Sequence, residues 1–314
     1  MKKYTHAWIA CKAIERLQRA QLTGTDRADA DDLTRWFMAH RDGVIAGAWY
    51  PDEIIKDNAS SHILKHSPVA TGGAPLRKLP PKMKLRAFVE RSPLRTQAFT
   101  TDRDTNLPAR CEALAHSVID SLRVQQAEPK GSPIAPTNNH VALRLFMLSH
   151  YVADAHMPLH CDSRRFSESP DIHALIEKAW EDEIEQHIDI DAANERFRYT
   201  PDGFPRTLGK PEYATSLLKR TEDELATRGF SFEWGTGNGS VLEYVEAVCQ
   251  HAFLLSCSFL PLACAPTTIT RQNWRSLPGQ QPSFDEFSLI ALSDAVDSVA
   301  RVWLRVWRRY RKSG

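Results

Sequence analysis

The densest chemistry in the chain lies between Ser149 and Asp162, in SHYVADAHMPLHCD. His150 and Asp154 stand four residues apart in an apolar helical pattern, so their side chains share one face, one above the other. Pro158 ends that helix near Ala155, and His160 follows on the exit turn. An imidazole and a carboxylate buried on such a helix are costly unless each is paired or bound to metal. His173 and Glu177 repeat the spacing near the start of the next predicted helix. Two helices that each present His and carboxylate supply what a bundle needs to build a metal site in its interior. Imidazole and carboxylate without thiolate suit zinc or another first-row divalent ion. A single His/Asp pair at this spacing is most often a hydrogen-bonded surface pair. Two pairs plus His160 within 28 residues make coincidence a poorer account. His156 and His160 are also four apart, but Pro158 between them interrupts a regular turn.

The elements that must carry these residues are helices; alternating strand patterns are nearly absent. Helices are predicted at His6 to Leu22, Asp31 to Ala46, Pro108 to Gln125, His140 to Ala155 and Pro170 to Ile190. Three more are predicted at Tyr213 to Arg228, Ser240 to Leu260 and Phe284 to Arg311. Irregular insertions are expected at about 68–107, 127–139 and 191–211, where Pro and Gly act as breakers. The first of these is basic, with Arg77, Lys78, Lys82, Lys84 and Arg86. Because candidate site residues lie on both sides of these loops, the expectation is one all-α, multi-helix domain over 1–314.

Composition narrows the classes. With 42% hydrophobic and 25% charged residues, 314 residues suffice for a large buried core. Forty Lys and Arg against 39 Asp and Glu give a formal charge of +1, so any attraction to nucleic acid or anionic lipid must be local. The start, Met1-Lys2-Lys3-Tyr4, enters a mixed pattern with Lys12, Glu15 and Arg16, not the apolar stretch of a secretory signal. The longest apolar run, around Ala252 to Ala265, is broken by Ser256, Ser258 and Pro261. Cys11, Cys111, Cys161, Cys249, Cys257 and Cys264 show no CxxC pairing and read as buried thiols. The expected location is cytoplasmic.

The run His150-x-x-x-Asp154-x-x-x-Pro158-Leu159-His160, followed by His173-x-x-x-Glu177, resembles the signature of the zinc-dependent phospholipase C family. That superfamily also contains the fungal zinc-dependent single-strand nucleases. THAWIACKAIERL (Thr5 to Leu17) is similar to the family's opening helix, with His6 as a ligand, and GAWYPDEIIKDNASSHIL (Gly47 to Leu64) resembles the segment carrying an acidic and a His ligand. The resemblance implies two or three zinc ions. Asp52, His62, His150 and Asp154 would hold one, and His160, His173 and Glu177 a second. Asp154 would bridge to a third near His6. His66 competes with His62, whose Ser-x-His-apolar context favours it. Secreted members complete the third site with a mature N-terminal Trp; here either the Met1 α-amino group substitutes, or that site is weak or absent.

What the resemblance implies is phosphodiester hydrolysis, with the ligands coordinating and Asp52 also orienting or deprotonating the nucleophilic water. Phospholipid is the first-choice substrate, with peripheral membrane contact, because Glu177 stands where the nuclease branch tends to use Asp. A nuclease or nucleotide phosphatase is the main rival, with Trp49, Tyr50 and Tyr151 as base-stacking candidates. A zinc-stabilised binding or scaffold protein is the non-enzymatic one. No protein partner is implied, and the HExxH motif of metalloproteases is absent. The basic, aromatic stretch Arg301 to Lys312, with Trp303, Trp307 and Tyr310, is either a membrane or nucleic-acid contact or a final core helix with solvated arginines.

Overall fold

Apolar residues at three- and four-residue spacing fold here as helix throughout. The computed structural model describes all residues except 70, 81–82, 103, 167–170, 233–238 and 312–314, and it is mostly helical. Lys82, Pro170 and Lys312 therefore lie outside the described residues. The described helices are α1 (Lys3–Arg19), α2 (Gly24–His40), α3 (Val44–Tyr50), α4 (Leu85–Arg91) and α5 (Leu107–Ala127), then α6 (Asn138–Asp154), α7 (Ile172–His187), α8 (Leu217–Thr227), α9 (Val241–Phe259) and α10 (Phe284–Arg311). Two short strands, β1 (Ile190–Asp191) and β2 (Arg196–Phe197), pair antiparallel at the start of the expected 191–211 insertion, and Ile190, expected to end the preceding helix, lies in β1.

Helix α6 packs against α3, α5 and α10, and α1 packs against α3, α7 and α10. Val141, Leu145, Leu148 and Val152 line the buried stripe of α6, and Trp8 of α1 is fully buried. Thr137 and Asp171 cap α6 and α7 by accepting from the backbone N–H of His140 and Ala174. Among the described residues no helix is long and apolar enough to cross a membrane.

Several expectations need correction. The helix predicted at Asp31 to Ala46 is two helices, divided by a 3-10 turn at Arg41–Gly43. The loop expected at 68–107 contains α4, which buries Leu85, Phe88 and Val89 on one face. The Tyr213 to Arg228 prediction begins as a 3-10 turn, and Ser216 caps α8 after it. At the C-terminus Trp303 and Trp307 are buried, donating to the Leu145 carbonyl and the Asp32 carboxylate. Arg308 pairs with Asp26 and Asp29, Arg309 with Glu112, and Arg311 with Asp29 and Asp32. Trp303 and Trp307 thus belong to a core helix, and three of its arginines pair with carboxylates of α2 and α5.

One glycine sets the approach of α3 to α6. A Cβ on Gly47 would lie 2.3 Å from Phe146 Cβ, closer than any stable carbon contact. The two backbones meet there, and the Ala48 carbonyl, one residue on, reaches His150 of α6.

Candidate metal centre

Five histidines and three carboxylates from six chain segments converge in one cluster. His6 comes from α1, Asp52 from the π-helical turn Pro51–Ile55, and His62 from the 3-10 turn Ala59–His62. His150 and Asp154 come from α6, His160 from the 3-10 turn Pro158–His160, and His173 and Glu177 from α7. The π turn closes with Lys56 left-handed at φ 50, a strained conformation for a side-chain-bearing residue. Such turns interrupt helices often at functional sites; this one swings Asp52 over the end of α6.

Asp154 is the hub, and its two oxygens face different neighbours. Oδ2 lies 2.9 Å from His62 Nδ1 and 3.2 Å from His150 Nε2. Oδ1 lies 3.4 Å from His6 Nε2, 3.5 Å from His160 Nδ1 and 3.0 Å from the Met1 ammonium. That is how a bridging carboxylate is placed. Asp52 Oδ1 completes the first side at 3.6 Å from His150 Nε2 and 3.7 Å from His62 Nδ1. On the second side Glu177 Oε1 lies 2.8 Å from His173 Nε2 and 3.7 Å from His160 Nε2. Ligand atoms within 4.8 Å of one another form three sets: His6, Asp52 and His150; His62, His150 and Asp154; and His160, His173 and Glu177.

The chemistry of this donor set fits a divalent cation. His150 Nδ1–H donates to the Ala48 carbonyl at 2.8 Å, which fixes the ring and turns Nε2 toward the two aspartates. Both ring nitrogens of His6, Nδ1 of His160 and Nε2 of His173 are buried without a hydrogen-bond partner. His173 Nε2 is close to Glu177 yet lacks hydrogen-bond geometry, as for two donors aimed at a common ion. Unsatisfied buried imidazoles are costly, and a cation would satisfy them together. These buried His and Asp groups could hold a metal ion.

Electrostatics agree with the geometry. Burial alone would raise the Asp154 carboxyl, but the Met1 ammonium, His150 and His160 hold it well below the usual carboxylate range. Burial opposes a charged His150, yet Asp154 and Asp52 push it up to about 9. The cluster draws positive charge inward. Burial, with His150 and the Met1 ammonium nearby, drives His6 down to about 4, leaving a neutral donor. The Met1 α-amino group, whose role the sequence left open, is buried between Asp154 at 3.0 Å and Glu177 at 2.8 Å.

The contest between His62 and His66 falls to His62. His66 is fully buried outside the cluster, packed between the Phe99 and Phe253 rings, with Nδ1 paired to Thr101 Oγ1 at 3.0 Å. His156 is buried and belongs to none of the three donor sets. Tyr151, a base-stacking candidate from the sequence, is fully buried, and its hydroxyl donates to Asp57 at 2.5 Å; it packs against His62 and is closed to any base. Trp49 is partly covered by the Lys3 ammonium, 3.1 Å from its ring centroid.

Sequence reasoning missed Glu181. Its carboxylate accepts from the N–H groups of Tyr4 at 2.9 Å and Thr5 at 2.8 Å, and from the Thr5 hydroxyl at 2.8 Å. It thereby caps α1 from α7 and fixes His6, the next residue. The available signal was its position four residues beyond Glu177 on the same helix. Comparison with family models, curated proteins and solved structures finds no match to this chain.

Proposed function

We propose that the protein is a zinc-dependent phosphoester hydrolase of the phospholipase C and single-strand nuclease type, acting first on phospholipid head groups. The observation that carries this reading is the bridging placement of Asp154 between two His and carboxylate sets in one buried cluster. Asp52, His62, His150 and Asp154 would hold one zinc ion. His160, His173 and Glu177 would hold a second, and His6 with Asp154 would serve a third. Bound zinc supplies Lewis acidity toward phosphoryl oxygens and lowers the pKa of water to near neutrality.

The protein's own groups do the rest. The Asp52 side chain is 44% exposed while Asp154 is 2% exposed, so the cluster opens to solvent beside Asp52. That carboxylate is held below its ordinary range, against the effect of burial, by His150 and His6. It stays ionised at neutral pH and can accept a hydrogen bond from a water at the opening, orienting it toward phosphorus. His6, His150 and Asp154 are buried, so the deep side of the cluster is covered by protein. A structural zinc site is closed by protein ligands on every side; the half-exposed Asp52 and the partly exposed His173 favour the catalytic reading over a scaffold.

The test is zinc analysis of the purified protein with parallel assays on phosphatidylcholine vesicles and single-stranded DNA. Zinc-dependent release of phosphocholine supports the first-choice substrate. Cleavage of DNA alone transfers the site to the nuclease reading. Zinc-loaded protein inactive on both, and on a simple phosphodiester, contradicts the proposal.

A further inference from the structure

A cleft of about 480 Å³ opens beside the second donor set, and its reading as a substrate pocket rests on the phosphoesterase proposal above. His173 lines it directly. Ile63 and Leu159 also line it, and in the chain they adjoin the cluster residues His62 and His160. Cluster and cleft therefore share His173.

The charges in the cleft wall are unequally satisfied. Asp162 is held by Arg164 at 2.6 Å and by the Ser256 hydroxyl at 2.7 Å. Asp171 accepts from the Ala174 N–H at 3.0 Å as the cap of α7, and Asp102 accepts from the Asp104 N–H at 3.1 Å. Arg164 is spent on Asp162, but two other cations of the wall have no carboxylate at pairing distance among the described residues. Lys65 donates to the Leu159 carbonyl, and among the described residues no carboxylate pairs with it. Burial, only partly offset by Cys161, Asp162 and Asp171, holds its ammonium below the usual lysine range. Arg165 is exposed on the same wall and pairs with no carboxylate among the described residues. A half-buried ammonium with no carboxylate at pairing distance gains when an anion arrives.

We infer that this cleft binds a second phosphate group of the substrate, gripped by Lys65 and Arg165, while the scissile phosphoester lies over the metal cluster. The cleft volume falls in the ordinary range for small-ligand sites, enough for a phosphate on a sugar or inositol ring. The substrate class is then a phosphoester whose ring carries another phosphate: a phosphorylated inositol head group within the phospholipid reading, for which phosphatidylcholine is only a general probe, or a nucleotide within the nuclease reading.

Calorimetric binding to zinc-loaded protein tests this with two probe pairs: thymidine 3′,5′-bisphosphate against thymidine 5′-phosphate, and inositol 1,4-bisphosphate against inositol 1-phosphate. The wild-type protein should favour the bisphosphate of at least one pair by about tenfold or more, the weight of a charged hydrogen bond. The favoured pair identifies the source of the ring. Lys65→Gln and Arg165→Gln should each bring that ratio severalfold closer to one, with zinc content and circular dichroism reporting an intact fold. Equal affinities within both pairs in the wild type, or a preference untouched by both variants, overturns the assignment. Failure of the zinc-loaded wild type to hydrolyse bis(p-nitrophenyl) phosphate overturns the phosphoesterase reading instead, and the binding comparison still decides the cleft.

Discussion

Replacing Gly47 with alanine probes how helix packing builds the metal centre. The new Cβ would meet Phe146 Cβ at 2.3 Å, whereas carbon atoms rest about 3.5–4.0 Å apart. Helices α3 and α6 must then separate locally by roughly 1.2 Å or more. The bond from His150 Nδ1 to the Ala48 carbonyl is 2.8 Å long, and stretched by that amount it exceeds hydrogen-bonding range. Overpacking costs about 1–3 kcal/mol, and alanine's better helix propensity returns about 0.5–1 kcal/mol. The expected net loss is about 1–2 kcal/mol, read as a lower urea midpoint at unchanged slope. Losing the bond that orients a ligand imidazole typically weakens metal binding about 10–100-fold, read by competition with a chromophoric chelator. A Gly47→Ala protein with wild-type stability and wild-type zinc affinity would refute the claim that this backbone contact orients His150.

Other perturbations separate the parts of the account. Asp154→Asn should abolish tight zinc binding and activity together, because Asp154 faces His6, His62, His150 and His160 at once; metal analysis and a phosphodiester assay on folded variant check this. Glu181→Ala strips three hydrogen bonds from the start of α1 and should cost about 2–4 kcal/mol, while zinc bound near His6 is released first on chelator titration. Burial lowers His66 from 6.5 to about 4, so the folded state binds fewer protons than the unfolded one between those values. Its stabilisation is therefore complete above pH 6.5 and lost as pH falls toward 4. Between pH 7 and 5 the wild type should lose about 2 kcal/mol more than His66→Asn in urea unfolding, and equal losses would contradict the assignment.

The local pattern carried the parts of this fold that are themselves local. His150 and Asp154 share a face of α6, and Pro158 turns the chain so that His160 meets them, all within one segment. Helix α10 runs from Phe284 to Arg311, as its apolar repeat indicates. Where the signal failed, tertiary contact had replaced local preference. Asp31 to Ala46 reads as one helix, yet it breaks at Arg41–Gly43, and the separate α3 brings Gly47 against Phe146. Helix α4 lies hidden in a proline-rich, basic stretch because only Leu85, Phe88 and Val89 carry its buried face. Glu181 looks like one more acidic residue on α7 until α1 docks against it. Tyr151 looks like a stacking platform until Asp57 and His62 enclose it. Of the site, residue types at helical spacing were legible; bridging, caps and the Lys65 cleft exist only in three dimensions.

The central claim is that His6, Asp52, His62, His150, Asp154, His160, His173 and Glu177 surround cations. Anomalous diffraction at the zinc edge, from crystals of protein grown with zinc, tests it directly. The account predicts at least two strong peaks, one among His62, His150 and Asp154 and one among His160, His173 and Glu177. Crystals with no anomalous signal there, and with these side chains hydrogen-bonded to one another or turned to solvent, would contradict it.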